Sequence, residues 1–150
     1  MTPSDLPRPV SILGLAGLAP QTACLALAFA DGTYRWISLA AGCFYAATIL
    51  SFLGGMWWMS GLLTGVRQSW IYVVAVMPSL FGWASLLPLV FGWRWPGPSL
   101  FALGLALLVS PLLDLRIARK TKLSSEWLVL RMILATGLGF LTFALAAVST

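Results

Sequence analysis

The side chains that could perform catalysis or bind a metal are few in this sequence. It contains no histidine, and its two cysteines, Cys24 and Cys43, each lie inside an apolar run. Serines such as Ser51 and Ser110 are present, but no histidine, buried lysine or aspartate pair accompanies them to activate a nucleophile. Two cysteines alone cannot complete a zinc or iron–sulfur site. We therefore expect no enzyme activity, no catalytic residue, no metal site and no cofactor.

The composition is that of a protein dissolved in lipid. Of the 150 residues, 60% are hydrophobic and only 9% are charged, whereas soluble domains carry about 25% charged residues. The net charge of +5 comes from basic residues that flank apolar runs. We therefore expect membrane lipids to be the partners of this charge, and no nucleic acid.

Five apolar stretches approach the length needed to cross a bilayer. A transmembrane helix needs about 20 apolar residues, and the stretches cover residues 10–30, 37–60, 70–91, 99–115 and 127–148. The connectors between them are short, so residues 1–150 form a single integral membrane domain. The predicted fold class is all-α, a polytopic bundle of five transmembrane helices.

The distribution of basic residues predicts the orientation of this bundle. Lysine and arginine are retained on the cytoplasmic side of a membrane. An inside N-terminus leaves only Arg35 and Arg94 on the outer side, against six basic residues inside. Five helices then place the C-terminus outside. We expect a multi-pass protein of the bacterial cytoplasmic (inner) membrane, or of the mitochondrial inner membrane if the source is eukaryotic.

Arg131 is the one charged residue clearly inside an apolar stretch. An arginine at the bilayer centre costs about 2.5–3.5 kcal/mol on insertion scales, which favours a partner. Asp114 ends the preceding stretch at a similar depth. We predict an ion pair between Asp114 and Arg131 that clamps the last two helices together. The functional alternative is an anion or lipid headgroup site at the inner rim of the membrane.

Small residues spaced by about one helical turn mark the faces on which membrane helices meet. Such stripes run through Ala102, Ala106 and Ser110 to Asp114, and from Arg131 through Ala135, Gly139, Thr142 and Ala146. Large residues such as Leu103, Leu107, Phe140 and Phe143 are then left to face lipid or a partner.

A basic cluster follows the fourth apolar stretch. Its members are Arg116, Arg119, Lys120 and Lys122. Positive charges at this place fix the topology of a membrane protein. The functional alternative is binding to anionic lipid headgroups, or to an acidic partner surface, at up to about 1 kcal/mol for each basic residue.

The segment at residues 51–60 contains paired glycines and paired tryptophans. The glycines allow a close approach, and Trp57 and Trp58 offer stacking faces and two indole donors. One interpretation makes both tryptophans interfacial anchors beside a tight helix crossing. The other predicts a pocket lined by Trp57, Trp58, Trp83 and Arg131 that binds a lipid, a quinone or a tetrapyrrole.

This segment also carries a resemblance to a known family. The run Tyr45-Ala-Ala-Thr-Ile-Leu-Ser-Phe-Leu-Gly-Gly-Met-Trp-Trp58, preceded by Leu13-Gly-Leu-Ala-Gly-Leu-Ala-Pro20 and followed by Trp127-Leu-Val-Leu-Arg131, is similar to the transmembrane protein 69-like family. That family, domain of unknown function 3429, is a small multi-helix membrane domain found in proteobacterial and mitochondrial membranes. The resemblance implies the helix count but no catalytic residues.

Two functions compete on this evidence. The small size, the short loops and the missing catalytic groups favour a non-enzymatic accessory or assembly subunit that packs against a larger membrane complex or forms a homo-oligomer. The alternative is a protein that binds or transports a small ligand, namely a lipid, a quinone or a tetrapyrrole.

Overall fold

A computed structural model of the chain describes residues 7–30, 32–121 and 124–149, and all regular secondary structure in these ranges is helical. The helices are α1 (Arg8–Ala16), α2 (Ala19–Leu27), α3 (Thr33–Leu63), α4 (Ser69–Val90), α5 (Gly97–Thr121) and α6 (Ser125–Val148). Because α1 and α2 follow each other directly in the span Arg8–Leu27, five segments are long and apolar enough to cross a membrane. The predicted all-α fold with five transmembrane helices is confirmed, and the orientation of its termini stays a prediction.

The first span is divided in two at its middle. Pro20 has no N–H group and cannot bond the carbonyl of Ala16, as a continuous helix would require. The chain instead makes a tight turn, in which the Leu18 amide donates to the Leu15 carbonyl at 3.0 Å. The Tyr45 hydroxyl of α3 donates to the carbonyl of Gly17, which lies in the break. The stretch predicted at residues 10–30 is therefore two short helices, of which α2 packs against α3.

Helix α5 extends six residues beyond the predicted end of the fourth stretch. It continues to Thr121 and takes in Arg116, Arg119 and Lys120, which the sequence analysis placed in a connector. Neither glycine nor proline interrupts this part of the chain, and positive charges stabilise the C-terminal end of a helix dipole. Hydropathy reports where the apolar environment ends, and the helix itself ends later.

Helix α3 is the centre of the bundle. It has 31 residues and is thus about 46 Å long, against about 30 Å for a hydrocarbon core. It packs against α2, α4, α5 and α6. Its buried side chains meet Leu103 and Leu107 of α5, which are completely buried in the core. The expectation that these two leucines face lipid or a partner was wrong.

A glycine allows α3 and α4 to approach closely. A Cβ atom built at Gly54 would lie 2.3 Å from the carbonyl oxygen of Ala75 in α4, whereas one built at Gly55 would have no neighbour within 4 Å. Of the two glycines, only Gly54 therefore lies on the face of α3 that meets α4. The contact holds α4 against the side of α3 that carries Trp57, and α5 covers the same end of the bundle.

Candidate functional site: a buried ion pair beside an apolar cleft

Asp114 of α5 and Arg131 of α6 form a two-point ion pair inside the bundle. Their side chains are only 4% and 6% exposed. The Nη2 atom of Arg131 donates to Oδ1 of Asp114 at 2.7 Å, and Nε donates to Oδ2 at 3.2 Å. Each residue lies six or seven positions from the nearby end of its helix, which is about 10 Å along the axis. The structure thus brings together the two residues that the sequence analysis paired.

A third helix takes part through Trp57. The indole Nε1 of this buried residue donates to Oδ1 of Asp114 at 2.6 Å. The carboxylate therefore accepts three N–H groups, two from α6 and one from α3. Charged groups survive in an apolar interior when they are paired and hydrogen-bonded in this way. The sequence predicts Trp57 as an interfacial anchor or a pocket residue, but it does not reveal this contact.

The guanidinium of Arg131 keeps unused donors. Its Nη1 atom donates to the sulfur of Met56 at 3.0 Å, and a thioether is a weak acceptor. Of the five guanidinium N–H groups of an arginine, three have partners. One N–H on Nη1 and one on Nη2 have no partner within the ranges that the structure describes. These donors matter because Arg131 also faces a cavity.

The cavity is an apolar cleft between α1, α3 and α6, with a volume of about 430 Å³. Small-molecule sites have volumes of about 300–1,000 Å³. On α6 the cleft extends from Trp127 to Leu138, a distance of about 16 Å along the axis. Its lining comprises Val10, Leu13, Gly14, Gly17, Leu18, Ile49, Phe52, Leu53, Met56, Leu107, Trp127, Leu130, Arg131, Leu134, Ala135 and Leu138. Arg131 is the one charged residue in this set.

The cleft exists because α1 packs loosely. None of the described residues of α1 is buried, and its contacts are mainly with α6. The break at Gly17 separates α1 from α2, which packs tightly against α3 and α6. The half of the first span that follows the break, α2, is thus packed against the bundle. The half that precedes the break, α1, leaves a cleft beside it. No short sequence pattern signals this cleft, since its walls come from four separated segments, the fourth being Leu107 of α5.

The predicted four-residue pocket does not form. Trp57 and Arg131 are joined through Asp114, but only Arg131 lines the cleft. Trp58 packs edge-on against Tyr72 of α4, with ring centroids 5.2 Å apart. Trp83 is 62% exposed on the outer side of α4. Successive residues of a helix are rotated by about 100°, so the adjacent tryptophans 57 and 58 point in different directions.

The basic cluster lies at the same end of the bundle as the ion pair. Arg116, Arg119 and Lys120 are exposed on the last turns of α5, and Lys122 lies outside the described residues. Exposed cations at a helix C-terminus fit the predicted contact with anionic lipid headgroups. That contact stays a prediction.

Comparison with known proteins gives a family match and one partial relative. The model of a family described as "Protein of unknown function (DUF3429)" matches residues 6–147. Transmembrane protein 69 of Xenopus tropicalis is 35% identical over 86 residues, which make up 55% of this chain and 34% of that protein. The chain thus aligns with about a third of the length of this relative. No solved structure matches the chain.

Proposed function

Since the chain belongs to the DUF3429 family of membrane proteins, whose function is unknown, we propose a function from the geometry of the site. The protein binds a lipid-like molecule in the cleft between α1, α3 and α6. The observation that carries this proposal is the cleft itself, an apolar cavity of about 430 Å³ in which Arg131 is the one charged residue. Apolar walls with a few placed polar groups are typical of sites for small organic ligands.

The position of the cleft fits a ligand that arrives from the membrane. Its walls are lined by aliphatic side chains such as Leu13 and Leu134, and α1 forms the wall with the fewest buried contacts. A segment with few buried contacts opens at a low free-energy cost. Outward movement of α1 would therefore admit an apolar chain directly from the hydrocarbon region.

A pair of neighbouring substitutions tests this proposal. Leu134→Phe places a larger side chain in the cleft, and Ile133→Phe makes the same chemical change on an exposed face of α6. The protein is purified from its membrane in a mild detergent, and retained small molecules are measured by native mass spectrometry. We expect the wild type and Ile133→Phe to retain a ligand that Leu134→Phe loses. An empty wild-type protein, or equal retention by all three, would contradict the proposal.

The proposed role is non-enzymatic, and it belongs to the cytoplasmic membrane of a bacterium or the inner membrane of a mitochondrion. The chain has no histidine, and in the described part its buried carboxylate, Asp114, is already bonded to Arg131 and Trp57. Fractionation of a tagged chain tests the location. Its recovery in another membrane would contradict that part of the proposal.

A second candidate function is that of an accessory subunit, and the outer face of α4 favours it. Ser79 and Trp83 lie one helical turn apart on this face, and both are exposed. Within the described part of the chain, neither the Ser79 hydroxyl nor the Trp83 indole N–H has a hydrogen-bond partner. Ser79 lies at the middle of the helix and Trp83 about 6 Å beyond it. Lipid tails offer no acceptor at that depth, so a transmembrane helix of a larger complex would supply one.

Crosslinking in native membranes tests this second candidate. The variant Ser79→Ala with Trp83→Leu removes both donors, and Phe140→Leu removes an aromatic side chain of equal exposure, 62%, from α6. We expect crosslinks from α4 to another protein in the wild type and in Phe140→Leu, and their loss in the double variant. Crosslinks to a second copy of this chain would indicate a homo-oligomer and not a larger complex. Crosslinks that survive in the double variant would show that Ser79 and Trp83 do not bind the partner.

A further inference from the structure

The ion pair between Asp114 and Arg131 carries no net charge beside the cleft. The positive charge of Arg131 lies 2.7 Å from a carboxylate oxygen of Asp114, so the two charges cancel as seen from the cavity. A carboxylate or phosphate that entered the cleft would lose its hydration without meeting a net positive charge. The cleft therefore offers an anionic ligand less electrostatic stabilisation than an unpaired arginine would.

Of the two members of the ion pair, only the hydrogen-bond donor, Arg131, lines the cleft. Arg131 and Met56 line the cavity, whereas Asp114 and Trp57 do not. The carboxylate oxygens point towards Trp57 and Arg131, where their bonds are made. The guanidinium has one N–H on each of Nη1 and Nη2 without a partner in the described part of the chain. A donor left without an acceptor in an apolar place costs free energy that a ligand oxygen can recover.

We propose that the cleft selects an uncharged amphiphile whose apolar chain carries a carbonyl oxygen, such as a carboxylic ester or a quinone, and that Arg131 donates to this oxygen. This inference rests on the proposed function, because it names the class of lipid-like molecule that the cleft binds. The carbonyl oxygen accepts from the free N–H groups of Arg131, and the apolar chain of the ligand occupies the aliphatic part of the cleft towards Leu138. Cationic and purely hydrocarbon molecules lack the acceptor and bind more weakly.

A matched set of probes tests the selection. The wild-type protein is held in dodecyl maltoside micelles, which contain no carbonyl group, and is labelled with methyl hexadecanoate that carries a photoreactive diazirine at the chain end. Competition is measured with unlabelled methyl hexadecanoate, hexadecane, hexadecanoate and hexadecylamine at equal mole fraction. We expect the ester to compete about tenfold more strongly than hexadecane or hexadecylamine, which corresponds to one hydrogen bond. We expect hexadecanoate to compete no better than the ester.

A decyl-substituted benzoquinone serves as a second source of the carbonyl group. Stronger competition by the quinone than by the ester identifies a quinone as the preferred source, and the reverse result identifies an ester. Both results support a carbonyl acceptor. Competition by hexadecane that equals competition by the ester overturns the inference, and so does stronger competition by hexadecanoate, which would reveal an anion site.

Two variants assign the effect to the guanidinium. Replacing both Asp114 and Arg131 by leucine removes the donors without leaving an unpaired charge, and such replacements are often tolerated. We expect this variant to be labelled but to lose the preference for the ester. Ile133→Phe changes an exposed residue of α6 outside the cleft, so the preference must persist in this variant; its loss there overturns the inference.

Failure of the proposed function and failure of this inference give different results. If the diazirine labels no residue of the cleft, and Leu134→Phe does not change the labelling, the protein does not bind a ligand there and both proposals fail. If Leu134→Phe abolishes labelling but all probes compete equally, the cleft binds apolar chains and only the selection by carbonyl groups is wrong.

Discussion

The indole nitrogen of Trp57 lies 2.6 Å from the carboxylate oxygen of Asp114 that also accepts from Arg131. One oxygen atom thus joins α3 to α5 and α6. In an apolar interior, such a shared acceptor couples its donors, since removal of one changes the surroundings of the others. The site is therefore best tested by changes that separate the charge from the hydrogen bonds.

Removal of the carboxylate alone will destabilise the bundle strongly. Asp114→Leu leaves the guanidinium of Arg131 buried without a counter-charge, and an uncompensated charge of this kind costs about 3–5 kcal/mol. The double variant Asp114→Leu with Arg131→Leu removes both charges and leaves the buried indole N–H of Trp57 unpaired, so we expect a smaller loss of about 1–3 kcal/mol. Thermal unfolding followed by size-exclusion chromatography in detergent measures both. A single variant as stable as the double would show that the arginine finds another partner.

The hydrogen bond from Trp57 will contribute less than the ion pair. Trp57→Phe keeps an aromatic ring in the buried site but removes the Nε1 donor and part of the indole ring system, so a loss of at least about 1–2 kcal/mol is expected. Trp58→Phe is the matched control, because this neighbour is largely exposed and packs edge-on against Tyr72. Its effect should stay within about 0.5 kcal/mol. Equal losses for the two variants would indicate that ring size, and not the indole donor, decides stability.

The two adjacent glycines of α3 should respond in opposite directions. A methyl group added at Gly54 would lie 2.3 Å from the backbone oxygen of Ala75, so α4 must move away. We expect Gly54→Ala to destabilise the protein by about 1–3 kcal/mol. Gly55→Ala meets no atom within 4 Å and should stabilise the helix by up to about 1 kcal/mol. Unfolding in increasing fractions of dodecyl sulfate compares them, and a tolerated Gly54→Ala would show that α3 and α4 are not in close contact there.

The sequence predicts the ion pair and the number of spans better than it predicts which side of each helix is buried. Asp114 and Arg131 are the charges closest in depth on consecutive helices, so charge pairing alone brings them together. Leu103 and Leu107 were assigned to lipid or a partner, yet both are completely buried. In a membrane the exterior of a bundle is as apolar as its interior, so hydropathy cannot separate a lipid-facing leucine from a core leucine.

The cleft was beyond prediction for a related reason. It depends on the distance between α6 and α1, the helix that precedes the break at Gly17, and tertiary packing sets this distance. The sequence marks the break through Pro20, because proline cannot continue the hydrogen bonds of a helix. It does not mark the direction in which the preceding segment then points. Trp83 was likewise grouped with Trp57 by residue type, although it lies on the exposed face of α4.

A last prediction concerns Gln21 of α2, which is completely buried. Its Nε2 atom donates to the hydroxyl of Thr142 at 3.0 Å, while its Oε1 atom has no partner within the described chain. An unpaired buried carbonyl costs about 1–3 kcal/mol, whereas a hydrogen bond between membrane helices contributes about 0.6 kcal/mol. Gln21→Met keeps the length of the side chain and removes both polar groups, so it should be neutral or stabilise the fold by up to about 1 kcal/mol. Thr142→Val should act in the opposite direction, because it removes the partner and leaves the whole amide unpaired. Dodecyl sulfate unfolding of the two variants decides the point: a clear loss of stability in Gln21→Met would mean that Oε1 is bonded in the membrane, by water or by a bound molecule.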